Sequence, residues 1–130
     1  MSEENGALTA EQILSAEDLQ FERVEVPEWG GHVNVWTLSM SELESYQQGI
    51  ATAQEKLQRR PANMMAALAA KAIRTAEGER VFTDKQIGDL GKKSASALMR
   101  VFNVAIRLNH MSKNDVEELA GNSEGAPSET

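Results

Sequence analysis

The 130-residue chain has no cysteine. That excludes disulfide cross-links, thiolate metal sites and cysteine nucleophiles, and it fits a reducing compartment. Two histidines, one tyrosine and three prolines leave few of the groups from which acid–base or metal chemistry is built. Aromatic residues are 5% of the chain, so there is no repeated platform on which nucleic-acid bases would stack. Long apolar runs are missing too. The most continuous, residues 64–70, is seven residues long and mostly alanine, against the ~20 needed to cross a bilayer. Residues 1–6 are acidic where a secretion signal would be basic, so no targeting segment and no membrane partner are expected. Leu, Ile, Val and Phe together number only 27, just above the ~20% level below which charged chains tend to stay unfolded. A core is possible, but it is thin and completed by 17 alanines.

What is abundant is acid, unevenly placed. Residues 1–30 hold eight acids and one base, and residues 114–130 hold five acids and no base. The stretch between, 31–113, carries twelve bases against seven acids. The net charge of −7 therefore hides a basic middle between two acidic ends. The bases are scattered along expected helices and interleave with no aromatic residues, which speaks against a nucleic-acid partner. A solvated surface, or a face for an acidic partner, accounts for them.

Thr9-Ala-Glu-Gln12 is a capping-box pattern ahead of Ile13 and Leu14, so residues 1–20 are expected to be a flexible acidic segment with one short helical turn. Alternation then predicts a β-hairpin over 21–38, with Val24 and Val26 on an apolar face and Val33 and Val35 opposite His32, Asn34 and Trp36. Pro27 to Gly31 makes its turn. A lone hairpin is marginal in water and must lean on helices. Helices follow at about 41–58, 62–76, 84–90, 93–109 and 113–120. The first is capped by Ser39 or Ser41, with Ser41-Glu-Leu-Glu44 matching the box pattern, and carries Leu43, Tyr46, Ile50, Ala53 and Leu57 on one stripe. Pro61 separates it from the second, whose stripe is Met65, Leu68, Ala69, Ala72, Ile73 and Ala76. Thr83 launches the third. The fourth begins at Lys92 or Ser94 and aligns Leu98, Val101, Phe102, Ala105 and Leu108, widened by Met99 and Ile106. Ser112 caps the last, and 121–130 is an expected disordered tail. The fold class is mainly α with a small N-terminal β-hairpin (α+β): one domain, 21–120, built as a bundle of four to five helices.

No catalytic constellation stands out. His110 follows a helix end and suits an interaction with the helix C-terminus. His32 lies on a strand's polar face, and the two histidines lack further ligands. The Glu42/Glu44 and Glu117/Glu118 pairs diverge on helices. No catalytic residue, cofactor or metal is expected. Binding is the better expectation. Trp29 and Trp36 sit around the hairpin, either packing it on the helices or contacting a partner. The methionines are plentiful, and methionine adapts to more than one surface. Met65 and Met99 suit core filling, whereas Met64 lies off the main stripe and suits contact. A thin core also points to stability gained by self-association or from a client.

Val24-Glu-Val-Pro-Glu-Trp-Gly-Gly31 with Val33-Asn-Val-Trp-Thr-Leu38 resembles the N-terminal hairpin of the tail assembly chaperones of long-tailed bacteriophages. Arg80-Val-Phe-Thr-Asp84, Leu90-Gly91, residues 93–98, Val101-Phe102, Arg107-Leu108-Asn109 and residues 115–119 resemble the same family in order and spacing. The resemblance runs from about Leu8 to Asn122, with residues 43–76 richer in Gln and Ala than is usual there. It implies a mostly helical, non-enzymatic protein that binds the helical tape measure protein, keeps it soluble and helps recruit tail tube (major tail) subunits. Such a protein acts in the host cell cytoplasm and is absent from the mature virion. The expected contact residues are Trp29, Trp36, Tyr46, Ile50, Met64, Leu68, Phe102 and Ile106, on a groove involving helices 43–76 and 94–109. A structural head–tail or neck component, or a small regulatory binding module, is the alternative.

Overall fold

A computed structural model describes residues 6–57 and 63–111. The expected helix 113–120, its Ser112 cap, the Pro61 junction and the tail 121–130 lie outside the described residues. Within them the fold is mainly helical with a small antiparallel sheet, an α+β arrangement.

The first helix, α1 (Ala10–Ser15), is set by Thr9, whose side chain accepts from the Gln12 N–H while Gln12 reaches back to the Thr9 N–H at 2.8 Å. It buries no residue. The hairpin follows as β1 (Phe21–Val26) and β2 (Gly31–Trp36), joined by a 3-10 turn at Pro27–Trp29. Gly30 takes φ 80°, the left-handed geometry that closes this turn and favours glycine. The register opposes Val24 to Val33 and Phe21 to Trp36. One face carries Val24, Val26 and Val35 into the core. On the other, Phe21 and Trp36 stack with centroids 4.6 Å apart.

A two-stranded ribbon is too weak alone, and the chain supplies a third strand. Helix α2 (Met40–Leu57) leads to α3 (Met64–Ala72), after which Ile73–Arg74 forms β3 against β2, pairing Ile73 with Val35 and Arg74 with Asn34. The expected helix 62–76 is therefore corrected: it ends at Ala72, and Ile73 is buried from a strand. Three groups make the exit. The Arg80 guanidinium takes up the Ala70 carbonyl, Val81 N–H donates to Ile73 O at 3.3 Å, and Gly78 turns at φ 92° between them. Ala76 falls in that turn and is exposed. Trp36 locks the turn from the sheet side, its indole N–H donating to Thr75 O at 2.9 Å.

Thr83 starts a 3-10 turn that runs into α4 (Ile87–Leu90), again with a Gln partner at Gln86. Helix α5 (Ala95–Leu108) is capped by Ser94, which accepts from the Ala97 N–H. Its end is a full Schellman closure. His110 N–H donates to Arg107 O, Met111 N–H donates to Ile106 O, and His110 itself stands at φ 57°. The interaction of His110 with the helix end is thus made by its backbone. Asn109 joins this end to the sheet: its side-chain oxygen accepts from the Leu38 N–H at 2.7 Å and its amide donates to Ala105 O at 2.8 Å.

The core lies between the sheet's valine face and α3 with α5. Leu68, Ile73, Val101 and Phe102 are fully enclosed there, among Ala69, Ala70, Ala72, Ala97 and Ala105. Alanine lets the helices approach closely but contributes little burial per residue. Two ion pairs orient α5 along β1, Arg107 to Glu22 at 2.9 Å and Arg100 to Glu28 at 2.8 Å. Because Arg107 meets the start of β1 and Arg100 the turn after it, the helix runs antiparallel to the strand. Glu28 also supplies negative charge near the first turn of α5, which has no acid of its own. The bidentate Arg100 guanidinium, with a backbone hydrogen bond of Glu28 and one from Ser96, draws the Glu28 carboxyl down to about 2.

Candidate functional site

Helices α2 and α3 meet through a buried hydrogen bond, Tyr46 O–H donating to the Met64 carbonyl at 3.0 Å. Beside that contact runs an apolar groove of about 370 Å³ lined by Tyr46, Ile50, Ala53, Met64 and Ala67, with Gly49 on its rim. Gly49, Ala53 and Ala67 put only small side chains along it. Lys71 and Asp84, of opposite charge, also line it. A second groove, of about 380 Å³, lies between the start of α3 and the start of α5, with Met64, Met65, Leu98, Met99 and Lys93 on its walls. Trp29, Phe82, Leu90 and Lys93 enclose a third, smaller hollow.

The expected contact residues separate into three groups. Tyr46, Ile50 and Met64 line the α2–α3 groove, though each is mostly buried as its floor. Leu68, at 0% exposure, and Phe102, at 1%, are corrected from contact to core, and Ile106 is buried with them. None of the three lines either of the two helix-walled grooves. The two tryptophans differ. Trp36 is a strut of the fold, bonded to Thr75 and stacked on Phe21. Trp29 packs against the core edge with its indole nitrogen buried and without a hydrogen-bond partner. The methionine assignments also change: Met64 is buried, Met65 is half-buried, and Met99 is 39% exposed rather than core filling. Met65 and Met99 form an open wall of the second groove, which lies between helices 43–76 and 94–109 as expected, although neither residue is among the expected contacts.

Among the described residues, no three His, Cys, Asp or Glu side chains are grouped to hold a metal ion. No helix among them is long and apolar enough to cross a membrane. Comparison of the chain with protein-family models, curated proteins and solved structures finds no match.

Burial pushes the pKa of the Tyr46 hydroxyl up. In an unfolded chain it would ionise near ~10. The folded state therefore holds the proton more tightly, so the Tyr46 contribution to stability should be level below pH ~10 and be lost as pH rises beyond it. Because the chain has one tyrosine, tyrosinate absorbance reads this group alone. The folded protein should remain un-ionised where the urea-unfolded chain has already titrated. Tyr46→Phe should remove that alkaline loss and cost about 1–2 kcal/mol at neutral pH, since the Met64 carbonyl is left without its donor. A tyrosine that titrates alike in both states would refute the role.

Proposed function

We propose that this chain is a non-enzymatic binding domain whose α2–α3 groove receives an apolar helix. More particularly, it acts as a tail assembly chaperone of a long-tailed bacteriophage, binding the tape measure protein, keeping it soluble and helping to bring in tail tube subunits. The observation that carries the binding role is the groove itself. It is apolar, floored by Tyr46, Ile50 and Met64, and rimmed by small residues at Gly49, Ala53 and Ala67. A holdase for a helical client needs an accessible apolar trough rather than a deep polar pocket. The particular client rests on the ordered resemblance of residues 24–38 and 80–119 to that family. Action in the host cytoplasm, and absence from the finished particle, follow from the same resemblance.

Co-expression with the tape measure protein of the same phage tests this role. Soluble yield of the client should rise, and the two should co-purify. Gly49→Leu makes the test specific. A Cβ at Gly49 meets nothing within 4 Å, and replacing a mid-helix glycine should stabilise the chain by about 0.5–1 kcal/mol. The added leucine fills the groove. The expected result is a more stable protein that no longer solubilises the client. Full client binding by Gly49→Leu would move the site elsewhere, and no effect of the wild-type chain on the client would end the chaperone reading. Recovery of the chain at structural stoichiometry in purified virions would instead mark a neck component.

A further inference from the structure

The two helix-walled grooves share an edge, because Asn63 and Met64 line both. From there the α2–α3 groove follows α3 as far as Lys71, whereas the α3–α5 groove takes only the start of that helix, with Met65 and Ala66. The two therefore meet where α3 begins. Met64 is buried at this junction, its carbonyl held by the Tyr46 hydroxyl. Gly91 belongs to the α3–α5 side, and the Asn63 side chain occupies the space that a Cβ there would fill.

Length and charge say how an occupant would use them. The α2 wall runs from Ser45 to Ala53, about 12 Å of helix at 1.5 Å per residue. An isolated helix needs ~12–15 residues to be even marginal in water, or about 18–22 Å. A client helix that holds its own shape is therefore longer than the α2–α3 groove. Beyond the start of α3 the next apolar surface is Met65, Leu98 and Met99. The charges differ between the two parts. Lys71 and Asp84 offset each other in the α2–α3 groove. In the α3–α5 groove the only charged lining residue among the described residues is Lys93, and Lys92 precedes it in sequence.

We propose that the two grooves are one site, and that the client it takes is a helix whose apolar stripe ends in acidic residues. The inference rests on the helix-receiving role of the α2–α3 groove and deepens it. The client's stripe continues past Met64 onto Met65 and Met99, and the carboxylates that follow it face Lys93 and Lys92. Met99 and Lys93 thereby favour acid-ended apolar helices over base-ended ones of the same length.

Fluorescence anisotropy of overlapping peptides from the tape measure protein of the same phage, each about 20 residues and so above the helix minimum, tests this against the full chain. Peptides with an acid-ended apolar stripe should bind tightest, and added salt should weaken them. Met99→Glu and Lys93→Glu change exposed side chains outside the core. Each should weaken binding ~10-fold with a urea midpoint near that of the wild type, while Gly49→Leu should abolish it. Wild-type affinity in both glutamate variants, with binding lost in Gly49→Leu, would overturn the proposal and leave the α2–α3 groove as the whole site. A preference for base-ended peptides would overturn it as well. Leu14→Glu should bind as the wild type does. Tighter binding by that variant would give the α3–α5 groove to the chain's own exposed segment, residues 8–19, and overturn the proposal. A wild type that binds none of the peptides would end the helix-receiving reading and this inference together.

Discussion

Phe102→Ala is expected to cost about 3–5 kcal/mol of stability, the largest single loss in this protein. Phe102 is 1% exposed and is the largest of the fully enclosed side chains, which also include Leu68, Ile73, Val26, Val35 and Val101. Part of the loss is the transfer of an aromatic ring out of the core. The rest is the cavity, which many of its surroundings cannot close. Alanines at 69, 70, 72, 97 and 105 line much of this core, and alanine has no rotamer with which to fill a void. Against a total of about 5–15 kcal/mol for a small domain, such a loss leaves a substantial unfolded population. Urea denaturation followed by circular dichroism should show a large drop in midpoint, with a smaller one for Phe102→Leu. A midpoint for Phe102→Ala close to that of the wild type would place the anchor of the core elsewhere.

Arg74→Met should cost about 1–2 kcal/mol. Arg74 holds three parts of the chain at once. Its side chain, 10% exposed, donates to Lys71 O at 2.8 Å and to the Glu42 carboxylate at 2.7 Å. Glu42 in turn forms the capping box of α2, accepting from the Ser39 N–H at 2.9 Å while the Ser39 hydroxyl accepts from the Glu42 N–H. The third strand, the end of α3 and the start of α2 therefore share one guanidinium. The cost stays below that of a fully buried pair because the Glu42 side chain is 35% exposed and water can rehydrate it.

The acid dependence gives a second readout. Burial works to raise the Glu42 pKa, but the Ser39 N–H and the Arg74 guanidinium outweigh it and hold the carboxyl below its usual 4.5. A lowered folded pKa means that this contribution is present above pH ~4.5 and is lost as pH falls below it. Glu28 loses its contribution over the same range, down to about 2. In Arg74→Met the Glu42 share should shrink while the Glu28 share remains, so the loss of stability between pH 5 and 3 should be shallower. An unchanged acid slope would show that Arg74 does not hold Glu42.

Much of the fold was legible along the chain because it is dictated over short distances. The boxes at Thr9 and Thr83 and the cap at Ser94 are contacts within three residues, and all three form. The alternation of Val24, Val26 and Val35 named the sheet's inner face, and the α5 stripe of Leu98, Val101, Phe102 and Ala105 was read correctly because that helix buries one side. Helix α3 resisted the same treatment. It packs between the sheet and other helices and buries Met64, Ala66, Leu68, Ala69, Ala70 and Ala72, so no single stripe could name its contacts. Met64 is buried yet lines both grooves, and Met65 packs against the core while lining one of them. Ser39 capped α2 in place of Ser41 for a different reason: Glu42, three residues after Ser39, is also where Arg74 arrives.

The candidate grooves were legible only as composition. Spare methionines, small residues and an acidic first segment suggest adaptable binding and a groove involving helices 43–76 and 94–109, but not which side chains border it. Local sequence sets the α+β class, the hairpin, the start of α2 and the extent of α5, and it shows acidic ends around a basic middle. Each of these follows from neighbours in the chain. Packing in three dimensions was needed to settle that Ile73 leaves a helix to become a strand and that Met65 and Met99 border open space. The physical reason is shared. A β-branched residue such as Ile73 is buried equally well from either backbone, and the choice falls to the unpaired edge of β2, the Arg80 guanidinium and the Trp36 indole, which no local pattern brings together.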